Sequence, residues 1–351
     1  MQPINQDLKS RWEAMKAGQP HLRIRNAAKA LNVSEAELLA TTCGETAIRL
    51  RPEFAAILGE ITSLGKVMAL TRNDEVVHER KGVYLNPSLS NPHVGLFVGE
   101  DIDLRIFPKS WASVFAVTEG FPNDPDKKRY SLQFFAADGE AIHKIYLVPQ
   151  SNHEAFEKLV EKYRHEDQSA EQAVTPFPPE SPELPDAAID VAGFREGWVN
   201  LKDTHDFFGL LQKYRISRTQ ALRLAPEGNF AIQAGNDTLR KVLNLASERQ
   251  VPIMVFVGNR GMIQIHTGTV HKIVDHEAWL NVLDPEFNLH VLEPAISQTW
   301  IVRKPTVDGT VTALEVFNEK GQQIVQLFGK RKPGIPEMEA WREIVAEVEK
   351  A

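Results

Sequence analysis

Apolar and polar positions follow two rhythms along this chain, and the rhythms come in the same order twice. Residues 7–17, 23–31 and 34–41 carry a helical rhythm. Ser34 followed by Glu37 has the spacing of a capping box, which sets a helix start at that point. Over residues 67–148 the period falls towards two, with Val, Ile, Phe and Tyr enriched between turn residues, and the pattern predicts a run of strands. Residues 152–163 return to an amphipathic helix. In the second half Asp203 is placed to cap a helix running to about Tyr214, with Phe207, Phe208, Leu210, Leu211 and Tyr214 on its apolar side. Ser217 caps another, with Gln220 again at capping-box spacing. Strands are expected over 253–327 and a last helix over 336–350.

The segments themselves echo one another. Val67, Met68, Ala69 and Leu70 correspond to Ile253, Met254, Val255 and Phe256. The run from Ile102 to Phe107 corresponds to Phe287 through Leu292, and Gln133 through Gly139 to Glu315 through Gly321. The offset stays near 185 residues, too long for a solenoid unit, so it implies two similar domains. Strand runs joined by short turns favour antiparallel sheets. The expected fold is therefore α+β: a tandem internal repeat, each domain a large antiparallel β-sheet with helices at one end. Residues 166–190 are acidic and hold Pro176, Pro178, Pro179, Pro182 and Pro185. They read as a linker between a first repeat at 1–165 and a second at 191–351.

Composition narrows the function. At 351 residues, 42% hydrophobic and 25% charged, the chain can bury two cores. A net charge of −7 argues against nucleic acid as a partner. A lone cysteine, Cys43, leaves no disulfide, cysteine zinc cluster or covalent haem attachment. The first residues lack the pattern of a secretory signal, and no apolar run of about 18 residues is present to span a bilayer. The expectation is a soluble cytoplasmic protein that is not embedded in a membrane.

Four features could carry chemistry. Residues 27–39 resemble a helix-turn-helix, but 21–51 hold five basic against three acidic side chains, and the same capped pair recurs at 205–225. A packing element explains both copies. His205 stands near a helix amino end, where partial positive charge favours the neutral imidazole that ligates metals; most single histidines are ordinary surface or core residues. In the strand around residues 101–107, Asp103, Arg105 and Phe107 share one face, which could line an amphipathic ligand pocket or simply meet solvent. Arg218 after the Ser217 cap, Lys304 and Arg331 are cations suited to carboxylates or phosphates, although each is also compatible with plain surface charge.

Taken together these residues resemble the HemS/ChuS family of cytoplasmic haem-trafficking and haem-degrading proteins. The resemblance covers nearly the whole chain. It is densest from Asp203 to Phe208, Ile253 to Gly261, Trp279 to Leu283 and Val302 to Gly309, with Leu104, Arg105, Ile106 and Phe107 matching in the first half. It implies one haem b held between the two halves. It further implies His205 as the axial iron ligand and Arg105, with Phe107 beside it, as the distal arginine. Arg218, Lys304 and Arg331 match the cations that hold the propionates. Phe328 stands where close relatives have tyrosine, so a hydroxyl donor is lost there. Asp206, Phe207 and Phe208 replace further histidines that some relatives carry, which makes a swap between alternate ligands doubtful. The implied role is to receive imported haem and pass it towards degradation, with a haem oxygenase or an inner-membrane haem importer as possible partners. The other implied role is haem ring opening by the chain itself, with Arg105 then catalytic.

Overall fold

A computed structural model of the chain describes residues 4–121, 124–179, 181–332 and 334–350. The first three residues and Glu180 of the proline-rich stretch lie outside them. The opening helices are Ile4–Gly18, Ile24–Leu31 and Glu35–Ala40. The capping box forms in full: Ser34 Oγ accepts the Glu37 N–H at 3.2 Å, and the Glu37 carboxylate accepts the Ser34 N–H at 2.8 Å. Its counterpart is half made. Ser217 accepts the Gln220 N–H at 3.1 Å, but the Gln220 amide turns away to the Leu184 carbonyl and the Asp186 carboxylate, both at 2.7 Å. Helices Phe54–Glu60, Val191–Val199 and Thr238–Glu248 add to the expected set.

The repeat is plain in the strand order. In the first half Ala47–Leu50 pairs with Trp111–Phe121, which pairs with Asp124–Ala136, then Ala141–Leu147, then Val67–Arg72, all antiparallel. In the second half the same order runs Ala231–Ala234, Gln298–Thr306, Gly309–Phe317, Gln323–Gly329, Ile253–Gly258. Even a backbone detail repeats: two residues before each serine cap, Asn32 and Arg215 adopt left-handed φ values of 57° and 56°. The α+β tandem repeat expected from the sequence is the fold observed.

Helices cover both faces of the second sheet. Ile301, Leu314, Val316 and Leu327 pack under Val242 and Leu243 of one helix and Trp341 and Ile344 of the last, Glu339–Lys350. Trp300, Val302 and Phe317 point the other way, against Phe194, Trp198, Phe207 and Leu222. A strand covered on both faces loses alternation, so Gly309–Phe317 is buried without interruption from Val311 onward. Its one acid in that stretch, Glu315, is the key to the site below.

By internal contacts the chain forms two compact units, residues 1–72, 79–178 and 259–264, and residues 73–78, 179–258 and 265–351. The segment 166–178 of the proline-rich stretch is thus part of the first unit. Gln168 exchanges two hydrogen bonds with the Arg49 backbone at 2.9 Å, and Phe177 lies under the Arg260 guanidinium at 3.9 Å. Each of the short inserted segments is anchored by an asparagine. Asn259 donates to the Arg72 and Ile142 carbonyls at 2.9 and 2.8 Å and accepts the Gly261 and Met262 N–H groups at 3.0 and 3.1 Å. Asn73, its counterpart, donates to the Gly258 and Ile324 carbonyls and accepts from Glu75 and Val76. Alanine at 259 strands two carbonyls and two N–H groups, so Asn259→Ala is expected to cost about 2–4 kcal/mol in denaturant unfolding. A loss under about 0.5 kcal/mol would show that the amide does not hold this turn.

Candidate functional site

His205 sits in the bend between helices Val191–Val199 and Asp206–Tyr214. The helix begins at Asp206 with His205 itself in the N-cap position, which corrects the expectation that Asp203 caps it. The Asp203 carboxylate serves the turn that leads into the helix: one oxygen accepts the His205 backbone N–H at 2.8 Å and meets ring Nδ1 at 2.6 Å. The His205 backbone N–H, chief among the local influences, holds the Asp203 carboxyl below its usual range, with the imidazole and Arg331 adding to it. With an ionised acceptor at Nδ1, the neutral form of the ring carries its proton there and its lone pair on Nε2. The imidazole is 88% exposed, so Nε2 is open to a ligand. Next to it Phe208 is 63% exposed, an unusual placement for a phenyl ring, whereas Phe207 is buried with its ring 4.6 Å from Trp198.

Two of the three sequence-expected cations lie behind Phe207. Lys304 Nζ stands 4.6 Å from the ring centre and the Arg218 guanidinium 5.1 Å from it. Both are bound to Glu315, which is fully buried. Arg218 grips it with two hydrogen bonds of 2.8 and 2.6 Å, Lys304 donates at 2.9 Å and Gln326 at 3.0 Å. Burial works to raise the Glu315 carboxyl, but Arg218 and Lys304 together outweigh it and hold it at about 2. Burial takes Lys304 down to about 8, only partly offset by Glu315, and the like charge of Arg218 adds to the fall. Two cations over one carboxylate leave a net positive charge beneath the helix that carries His205.

Arg331, the third cation, lies 3.8 Å from Asp308, and Phe328 packs edge-on to Phe256 at 5.2 Å. In the first unit Arg105 lies on the strand Asp103–Ile106, where its guanidinium donates to the Asp103 carboxylate on the same face and to the Leu104 carbonyl at 3.2 Å. Phe107 ends that strand with its N–H donated to the Gly261 carbonyl at 2.9 Å. The structure thus gathers Arg218 and Lys304 around Phe207, two residues after His205. Sequence reasoning missed Glu315 and Gln326, and it did not foresee the contact of Asp203 with the His205 ring. An acid inside the buried run 311–317 was the available signal for Glu315, since a buried carboxylate needs a cation.

The first repeat shows what this locus looks like without a histidine at the position of His205. Twelve residues before Ser217 stands His205; twelve before Ser34 stands Leu22. Glu35 follows its cap as Arg218 follows Ser217, and Lys144 pairs with Gln133 as Gln326 pairs with Glu315. The polarity is reversed, with the acid on the helix and the cation on the sheet, and buried Lys144 donates to buried Glu35. Arg25 adds a second cation, 2.8 Å from Glu140 and 3.8 Å from Glu35. A helix-to-sheet ion pair is therefore common to both repeats, while the carboxylate-backed imidazole of His205 has Leu22 at its place in the first.

Comparison with known proteins finds the same repetition. The model of the haemin-degrading HemS.ChuX domain matches the chain twice, over residues 32–163 and 215–348. The hemin transport protein HmuS of Yersinia pestis is 39% identical over 344 residues, spanning 98% of this chain and 97% of that protein. The crystal structure of holo-PhuS, a heme-binding protein from Pseudomonas aeruginosa, is similar with a TM-score of 0.95 and 46% identity over 99% of both chains. The heme-degrading enzyme ChuS of Escherichia coli O157:H7 is similar at a TM-score of 0.90 and 34% identity, covering 98% of this chain and 99% of that one.

Proposed function

The chain belongs to the family of the haemin-degrading HemS.ChuX domain, and from that membership we propose that it is a cytoplasmic haem-binding protein that receives imported haem and passes it towards degradation for iron use. The observation that carries the reading is His205, an open imidazole with its outer nitrogen free and its inner nitrogen backed by a carboxylate. Haem is a flat apolar disc with a metal at its centre and two carboxylates on one edge. His205 suits the metal, exposed Phe208 suits the disc, and the net positive cluster suits the edge. Arg218 and Arg331, 25% and 20% exposed, are the cations able to meet a propionate directly; Lys304 at 4% contributes its charge from behind Phe207. Phe328 can offer that edge no hydroxyl.

Arg105 is the proposed distal group, with Phe107 beside it. A guanidinium is a poor iron ligand while cationic, but it donates well to whatever occupies the sixth position. Arg105→Ala is expected to leave the histidine-ligated spectrum in place and to shift its alkaline transition. An identical transition would mean that Arg105 does not face the iron.

Among the described residues no helix is long and apolar enough to cross a membrane, so exchange with an inner-membrane importer would occur by docking. A soluble haem oxygenase is the proposed acceptor. The similarity to ChuS, a heme-degrading enzyme, supports a second reading in which the chain opens the ring itself. Haem-loaded protein supplied with a reductase and catalase separates the two. In the trafficking reading, ring opening stops once peroxide is removed and haem passes intact to an added oxygenase; ring opening that persists overturns that reading in favour of the enzyme.

A further inference from the structure

We propose that Asp203 is a positioning residue: it fixes the orientation of the His205 ring and strengthens its outer nitrogen as a donor to iron. This rests on the reading of His205 as the axial ligand. The geometry gives the carboxylate a task beyond that of a cap. Asp203 takes a backbone N–H two residues on, as a capping side chain does, but the same oxygen also meets ring Nδ1 of that residue, at 2.8 and 2.6 Å respectively. The loop is closed from the other side by Asp206, whose carboxylate accepts the Asp203 N–H at 3.1 Å. Thr204 and His205 are thus pinned between two acids, one before and one after.

An imidazole 88% exposed has no packing to choose its rotation, so the carboxylate makes that choice. A ring whose inner N–H is given to an anion carries more electron density at its outer nitrogen, and outer-sphere partners of this kind are typically worth about 10–100-fold in metal affinity. Asp203 is itself 62% exposed, which weakens the bond and places the expected effect near the lower end of that range.

The test uses the full chain loaded with haemin. Asp203→Asn keeps the size and can still accept the backbone N–H, but it removes the charge; Asp203→Ala removes the bond. Both are expected to retain histidine-ligated haem. In both, the iron–histidine stretching band of the reduced protein should move to lower frequency, the ferric/ferrous midpoint to more positive potential, and haem dissociation should quicken by about 10-fold. A merely structural role would move neither the band nor the midpoint. If the band is lost in His205→Ala but neither Asp203 variant shifts band, midpoint or rate, the inference fails and the ligand assignment stands. If the band survives in His205→Ala, the assignment fails and takes the inference with it.

Discussion

Replacing His205 with alanine is expected to abolish the histidine-ligated haem spectrum and to speed haem loss by about 100-fold or more, beyond what removal of an outer-sphere partner alone costs. The reason lies in how few groups can replace it. Lys304 is buried against Phe207 and Glu315, Arg218 is held by the same carboxylate, and a guanidinium does not give up its proton. No group of three or more His, Cys, Asp or Glu side chains that could hold a metal ion is found among the described residues. Apolar surface and cations would remain, so haemin could still adhere; the spectrum rather than retention alone is the readout. Added imidazole should restore it in the variant. An unchanged spectrum in His205→Ala would show that another residue binds the iron.

Glu315→Gln is expected to be the most damaging substitution for stability, at about 3–5 kcal/mol, because it breaks a buried ion cluster from its centre. Glutamine keeps the shape but leaves Lys304 charged and buried without an anion, so the lysine should fall further below its usual range. The loss should spread to the helix Asp206–Tyr214, since Phe207 rests on both cations. The pH dependence carries a sign for each partner. The Glu315 carboxyl is held at about 2 when folded against an ordinary 4.5, so its stabilisation is complete above pH 4.5 and is lost as pH falls towards 2. Lys304 runs the other way: held at about 8 against 10.5, it binds fewer protons folded than unfolded between those values, and stability rises as pH climbs through them. Denaturant unfolding of both proteins across pH tests this. The acid loss assigned to Glu315 should be missing from the variant, and a destabilisation below about 1 kcal/mol at pH 7 would mean that the cluster does not anchor the helix.

Much of the frame was legible because local signals set it. The serine caps and the alternating strands are properties of a few neighbouring positions, and they came out where the pattern placed them. The helix Thr238–Glu248 was equally legible, with Leu239, Val242, Leu243 and Ala246 at helical spacing, although the expectation of strands from residue 253 passed over it. Other features depend on long-range meeting. Arg218 and Glu315 are 97 residues apart, and nothing near either one says that they share a salt bridge. The unit to which the turns at Asn73 and Asn259 belong is likewise a tertiary fact that a repeat offset cannot convey. His205 falls between these cases. Its match to the family was visible, but Asp203 two residues earlier was read as a cap, because an aspartate before a helix serves as one far more often than as a brace for an imidazole.

The central claim, that one haem is held through His205, is met most directly by titrating the purified full chain with haemin and following absorbance. The expected result is a sharp end point at one haemin per chain, with the spectrum of a histidine-ligated haem. A titration curve with no saturable break, or a stoichiometric complex with no histidine signature, would contradict it.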